Sequence, residues 1–136
     1  MANFKPAITK VLLTEGRYAN DPNDNGGETY RGVARKFWPN WSGWTIVDTA
    51  KNQPNFPKSL TGNAALKDST IEFYKINFWD KIGGDKINNQ SIADLLVDSA
   101  VNEGTVPAIK RAQAIVDIAQ TGHVTNELVE KLNLMA

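Results

Sequence analysis

Apolar positions along the chain fall mostly at helical spacing. Phe4, Ile8, Val11 and Leu12 stand at i, i+4, i+7 and i+8, which is one face of a helix. Pro6 fits the first turn of that helix, where its missing N–H does no harm, and Gly16 is a good C-terminal stop. A second helix is predicted from Asn63 to about Trp79. It has Leu66, Thr70, Phe73 and Asn77 on one side and Ile71, Tyr74 and Phe78 on another, as in a central helix. Gly83 and Gly84 end it. A third runs from about Gln90 to Glu103, with Ile92, Leu95, Leu96, Ser99 and Ala100 in register. Gly104 stops it, Thr105 is placed to cap the next, and Pro107 sits in that helix's first turn, ahead of Ile109, Ala112, Gln113 and Val116. After Gly122, Thr125 caps a last short helix carrying Leu128, Val129 and Leu132.

Between the first two helices the helical period disappears. Asn20 to Gly32 is a run of turn formers, in which Asp-Pro, Asp-Asn-Gly and Gly-Gly each favour turns or hairpins. The segment "ETYRGVA" reads as a short strand or as the entry to the next helix. Residues 33–62, with "KFWPNWSGW" and "NQPNFPKSL", read as short helices and loops. The expected class is mainly α, with a small β-hairpin or turn-rich loop after the first helix.

Composition narrows the function classes. A chain of 136 residues with 41% hydrophobic and 22% charged residues is long enough for one domain with a real core. Lys plus Arg and Asp plus Glu are both 15, so the balanced charge offers no footprint for nucleic acid. The chain has no cysteine, which excludes disulfides and thiolate metal sites, and its one histidine, His123, leaves too little for a zinc site or a Ser-His-Asp triad. His123 itself reads as a surface residue in a turn. No apolar run approaches membrane-spanning length, so stable membrane insertion is not expected. The N-terminal "MANFKPAITKVLL" is broken by Lys10 and does not read as a signal peptide. Synthesis in the cytoplasm, with action elsewhere only after release or export, is the expectation that follows.

The informative stretch is "TEGRYANDPNDNGGETYRG", Thr14 to Gly32. Glu15 lies eleven residues after Phe4. At about 100° per residue this is roughly 20° past three whole turns, so the carboxyl points along the apolar stripe. A carboxylate there is costly unless paired or used. One explanation is a metal loop. "DPNDNG" matches the first half of an EF-hand pattern, but Gly32 stands where that loop needs a bidentate Glu. A looser calcium or sodium site stays open at this point. The other explanation is acid catalysis. Glycoside hydrolysis needs one carboxylic acid that stays protonated and a second group that stabilises charge or holds water. Desolvation raises the pKa of a Glu on an apolar stripe, which suits the first role. Asp24 and Thr29, nine and fourteen residues further on, suit the second, and Gly26 and Gly27 let the backbone turn and leave room for sugar. Tyr18 is placed to orient Glu15 or to pack the loop. Asp21 supports the loop and Asp24 faces the substrate. Tyr30, Trp38, Trp41 and Trp44 are candidates for stacking on sugar faces, at least two of them being core residues. Asn102 and Glu103 either border a groove or cap their helix.

This stretch resembles the N-terminal motif of the glycoside hydrolase family 108 muramidases, which reads roughly E-G-G-Y-x-N-D-P-x-D-x-G-G-x-T-x-x-G. Glu15, Gly16, Tyr18, Asn20, Asp21, Pro22, Asp24, Gly26, Gly27, Thr29 and Gly32 fit it, and Arg17 replaces the second glycine. The resemblance continues at Tyr74–Ile87 and at Leu95–Gln113, so it covers nearly the whole chain. The family includes secretion activators and phage-type endolysins. The resemblance implies a lysozyme-like muramidase domain over residues 1–105 and a short helical extension, 106–136, similar to a truncated peptidoglycan-binding region. It implies cleavage of the β-1,4 bond between N-acetylmuramic acid and N-acetylglucosamine, with Glu15 as the acid, Asp24 and Thr29 as partners, and Tyr18, Asp21, Gly26, Gly27, Tyr30, Trp38 and Asn102 on the substrate. The spacing of Glu, Asp and Thr is also similar to that of phage lysozymes, where the Thr comes one residue later. The implied partners are peptidoglycan glycan strands and a holin or secretion-system component, with action at the bacterial wall or periplasm and no metal or organic cofactor. Arg17 and the short C-terminal region motivate the rival reading, a catalytically inactive wall-binding or secretion-accessory protein on the same scaffold.

Overall fold

A computed structural model of the chain describes residues 1–14, 17–21, 23 and 27–135, with the side chains of 13 and 14 left aside. Its elements, in order, are helix α1 (Phe4–Thr14), strands β1 (Tyr18–Asn20), β2 (Glu28–Tyr30) and β3 (Val33–Ala34), and helices α2 (Gly43–Ala50), α3 (Ala64–Tyr74), α4 (Gln90–Glu103), α5 (Thr105–Ile115) and α6 (Asn126–Leu134). The mainly helical, lysozyme-like class expected from the sequence is observed, with a three-stranded antiparallel sheet after the first helix. The chain forms two compact units, Met1–Val11 with Tyr74–Ala136, and Leu12–Phe73.

The first unit is held by apolar burial and by saturated polar groups. Ala7, Ile8 and Val11 of α1 are buried, and the Phe4 ring lies 5.6 Å from the buried Trp79. Asp94 is buried with both oxygens engaged, accepting from Lys10 Nζ (2.6 Å) and from Gln90 Nε2 (2.8 Å). Gln113 is fully buried. Its amide donates to Thr121 Oγ1 and the His123 carbonyl and accepts from the Gly122 N–H, which ties down the loop before α6. His123 itself is exposed, in a bend, as expected. Thr125 caps α6 by accepting from the Leu128 N–H, also as expected.

Three sequence expectations are modified in this unit. The helix predicted over Asn63–Trp79 is α-helical only from Ala64 to Tyr74, and Lys75–Trp79 is a π turn. The wider turn places Trp79 five residues after Tyr74 on the same buried side, where ordinary helical spacing would not put it. Gly104, at φ +97°, takes the position before α5, so Thr105 is the first helical residue rather than its cap. The buried stripe of α4 is Ala93, Asp94, Leu96, Val97 and Ala100, with Leu95 71% exposed. α5 packs against α4, and the Ile92–Leu95–Ser99 side instead borders an open apolar groove with Ala108, Ile115 and Leu132.

The second unit carries the sheet. β1 pairs with β2 (Tyr18 opposite Tyr30, Ala19 opposite Thr29, Asn20 opposite Glu28), and β2 pairs with β3 (Thr29 opposite Ala34, Tyr30 opposite Val33). "ETYRGVA" is therefore a hairpin. Its two turn residues, Arg31 and Gly32, both have positive φ (49° and 84°), as a tight two-residue connection that follows the strand twist requires. Arg31 holds this conformation with its N–H donating to the Arg17 carbonyl and its Nη1 to the Leu12 carbonyl. Residues 33–62 contain α2 and a short 3-10 turn, Lys58–Leu60, among loops.

Strands this short have few ladder bonds, and a charged clamp supplements them. The Glu28 carboxylate is only 11% exposed. It accepts from Tyr18 Oη (2.7 Å), Arg35 Nη1 (2.9 Å) and Lys51 Nζ (2.7 Å). Arg35 also donates two 2.7 Å bonds to Asp48 on α2. Burial opposes ionisation of Glu28, but the donors from Lys51, Tyr18 and Arg35 outweigh it and hold its pKa below the ordinary 4.5. Arg35 does the same for Asp48, holding it well below the usual carboxylate range.

Two predictions follow from this packing. A Cβ at Gly84 would fall inside the van der Waals envelope of the Trp79 indole, which is fully buried and cannot yield. Gly84→Ala is expected to cost about 1–3 kcal/mol, read as a lowered midpoint in urea unfolding. The clamp's contribution is complete above the unfolded-state pKa of Glu28, 4.5, and is lost as pH falls through the lower folded value. Glu28→Gln should therefore lower stability by about 1–3 kcal/mol near neutral pH. It should also show a smaller further loss than wild type between about pH 5 and about pH 3, measured by thermal melts across that range.

Candidate active site

The motif spreads over α1, β1, β2 and the residues between them. Glu15, Asp24 and Gly26, which carry much of the sequence argument, lie outside the described residues. So do Pro22 and Asn25 of the half EF-hand pattern. Among the described residues no group of three or more His, Asp or Glu side chains is placed to hold a metal ion.

The remaining motif residues divide between the two faces of the sheet. Strand alternation puts Tyr18, Glu28 and Tyr30 on one face and Ala19, Thr29 and Ala34 on the other. On the first face Tyr18 spends its hydroxyl on Glu28 and sets its ring edge-on to Phe56, at 4.9 Å. Burial, and after it the anionic partner Glu28, raises the pKa of the phenol. The hydrogen bond to Glu28 likewise raises that of the Lys51 ammonium. All the donors thus keep their protons at neutral pH, and Glu28 stays an anion. It cannot serve as a proton donor there. On the second face Thr29 is the largest side chain, flanked across both pairings by alanine, and all three are at least partly accessible.

At the start of β2, Gly27 has φ +62°, and a Cβ there would meet nothing within 4 Å among the described residues. Asp21 is exposed, and its Oδ1 accepts from the Asn23 N–H at 2.9 Å, a local turn bond that shapes the loop.

The aromatic residues sort by burial. Trp44 is 2% exposed, donates Nε1–H to the Trp38 carbonyl and lies under the Arg35 guanidinium at 5.2 Å. Tyr30 is buried and stacks at 6.4 Å on Trp41, which packs edge-on against Trp44 and Phe73. Tyr30 and Trp44 are therefore core, while Trp38 is 38% exposed and is held edge-on against Phe73 at 4.9 Å. Its neighbour Phe37 is more exposed still. Both take their N–H bonds to the Ala34 carbonyl, so the aromatic turn is docked on the residue paired with Thr29.

Asn102 belongs to the other compact unit, exposed on α4 and bonded to Asp98 at 3.4 Å. Glu103 pairs with Arg111 at 2.7 Å rather than capping α4. The apolar groove in that unit has a volume of about 180 Å³, and Arg111, already paired with Glu103, is the charged side chain at its edge. It offers no convergent acid and base for hydrolysis. Sequence reasoning missed Glu28, Arg35, Asp48 and Lys51. The available signal was the alternation of "ETY", which commits Glu28 and Thr29 to opposite faces once the segment is a strand.

The fold has a counterpart in a solved structure. SagA of Brucella abortus matches with a TM-score of 0.65 and 26% sequence identity, over 98% of this chain and 70% of that one. No curated protein is significantly similar in sequence. The family model described as glycosyl hydrolase 108 matches residues 8–104, a span that includes the whole motif from Glu15 to Gly32 together with β1, β2 and β3. That match covers well over half of the chain, and with it the protein belongs to the glycosyl hydrolase 108 family.

Proposed function

We propose that the protein is an N-acetylmuramidase that cleaves the β-1,4 bond between N-acetylmuramic acid and N-acetylglucosamine in peptidoglycan. The observation that supports this reading is the clamped state of Glu28, taken with the expectation for Glu15 from the sequence. Glu28 is clamped by three donors and stays ionised. A glycoside hydrolase needs a carboxylic acid that keeps its proton, so the acid role falls to Glu15, which the sequence places on the apolar stripe of α1. In this reading Glu15 protonates the leaving glycosidic oxygen. Asp24 stabilises the oxocarbenium-like centre or orients the attacking water, and the Thr29 hydroxyl assists from the accessible face of β2. Gly26 and Gly27 keep the approach open, and Asp21 and Tyr18 shape the loop around it. Trp38 offers an accessible aromatic face to a sugar, while Tyr30 supports the strand from the buried face. Asn102 is assigned a peripheral contact with the glycan.

Residues 106–136 follow the segment matched by the family, and we assign them as a short wall-facing extension. The glycan strands of the wall are the substrate, reached at the wall or in the periplasm after release by a holin or export by a secretion system. No helix among the described residues is long and apolar enough to cross a membrane.

Turbidity of a suspension of purified peptidoglycan tests the assignment. Wild type should clear it. Glu15→Gln and Asp24→Asn should each slow clearing by about 10²–10⁴-fold, the usual range for loss of a general acid or its partner. Reducing-end analysis of the fragments should show N-acetylmuramic acid at the new ends. If wild type and Glu15→Gln are equally inert while glycan fragments still bind, the protein is a wall-binding or secretion-accessory member of the family instead.

A further inference from the structure

Glu28 and Thr29 are consecutive on β2, so the pleat sends their side chains to opposite faces. Thr29 has only the methyl groups of Ala19 and Ala34 beside it across the two pairings. These paired residues offer little side-chain bulk, so the backbone of β2 sets the direction in which Thr29 projects. That backbone is held in turn from the other face, through Glu28.

The three donors to Glu28 come from three different segments. Tyr18 reaches it diagonally from β1, Arg35 follows directly after β3, and Lys51 stands just past α2. The Arg35 N–H also donates to the Glu28 carbonyl at 2.9 Å, so side chain and backbone of Glu28 are gripped by the same residue. Asp48 completes the ring by holding Arg35 through two bonds and Lys51 at 3.2 Å. A slide or twist of β2 would lengthen charge-assisted bonds to two cations at once. An isolated exposed ion pair has no such directional grip and contributes little.

We propose that Glu28 is a positioning residue of the hydrolytic site, holding Thr29 in place through the backbone of β2 without touching substrate. This rests on the reading of Thr29 as part of that site. The clamp would then matter to turnover as well as to folding, and its loss would be felt only where Thr29 contributes.

A double-mutant cycle on soluble peptidoglycan fragments reads this directly. Wild type, Glu28→Ala, Thr29→Ala and the double variant are compared for kcat and KM, below the melting temperature of the least stable protein. Thr29→Val, which also removes the hydroxyl but keeps the branched shape, replaces Thr29→Ala if the latter falls below detection. Glu28→Ala should lower kcat by about ten- to a hundredfold with little change in KM, the scale expected for a misplaced group. In the Thr29 variant background the same change should cost less than about twofold. Lys51→Met, which keeps the aliphatic stem and removes one donor, should show the same pattern with a smaller loss, and it carries the test if Glu28→Ala does not fold. Equal losses in both backgrounds, or no loss of kcat, overturn the proposal. An active wild type with such independent losses overturns it alone, whereas an inert wild type overturns the muramidase reading with it.

Discussion

A single carboxylate holds the small sheet to its surroundings. Strands of two and three residues make too few ladder bonds to be stable by themselves. Glu28 compensates by gathering Tyr18, Arg35 and Lys51, so that both neighbouring strand segments and the end of α2 converge on one side chain. A nearly buried carboxylate costs free energy to desolvate, and it is tolerated here because three donors meet it. The same three donors decide its chemistry, since an anion so well solvated by protein groups has no tendency to take up a proton near neutral pH.

The other compact unit solves its problem differently. Two of its buried polar side chains are matched individually, Asp94 by Lys10 and Gln90, and Gln113 by the loop it fastens. Its bulk is apolar, and at one close contact backbone lies against indole, with Gly84 laid on Trp79. A similar contact recurs in the sheet-bearing unit, where Gly43 lies against Trp41 at the start of α2. In both places the absence of a side chain lets a large ring lie flush on the main chain, which explains why this tryptophan-rich chain places glycine beside its rings.

Membership of the glycosyl hydrolase 108 family gives these arrangements a purpose. In the proposed mechanism two glutamates of one short motif take different roles, Glu28 clamped by cations as an anion and Glu15 serving as the acid. The aromatic residues are divided in the same way, Trp44 and Tyr30 into the core and Trp38 onto the accessible turn. That turn hangs from Ala34, whose partner across the sheet is Thr29, so the proposed chemistry and the exposed aromatic face share one small scaffold.

Much of this was legible in the chain because it depends on local periodicity and turn chemistry. The apolar stripe of α1, the extent of α4 and the Thr125 cap all rest on neighbours within a few positions. The motif around Glu15 is local in the same sense, so the family was readable before the fold. Tertiary contacts decided the rest. The side of α4 that is buried was set by α5, leaving Leu95 at an open groove although its spacing suits a core. The last turn of the central helix is a π turn, and Tyr74 and Trp79 at its two ends are both buried. The partners of Glu28 lie ten residues before it and seven and twenty-three after it, and nothing in their spacing ties them together. Hydrophobic period reports which way a residue faces along its own helix or strand. Charge pairing across separate segments depends on where the folded chain brings them, and only the three-dimensional structure contains that information.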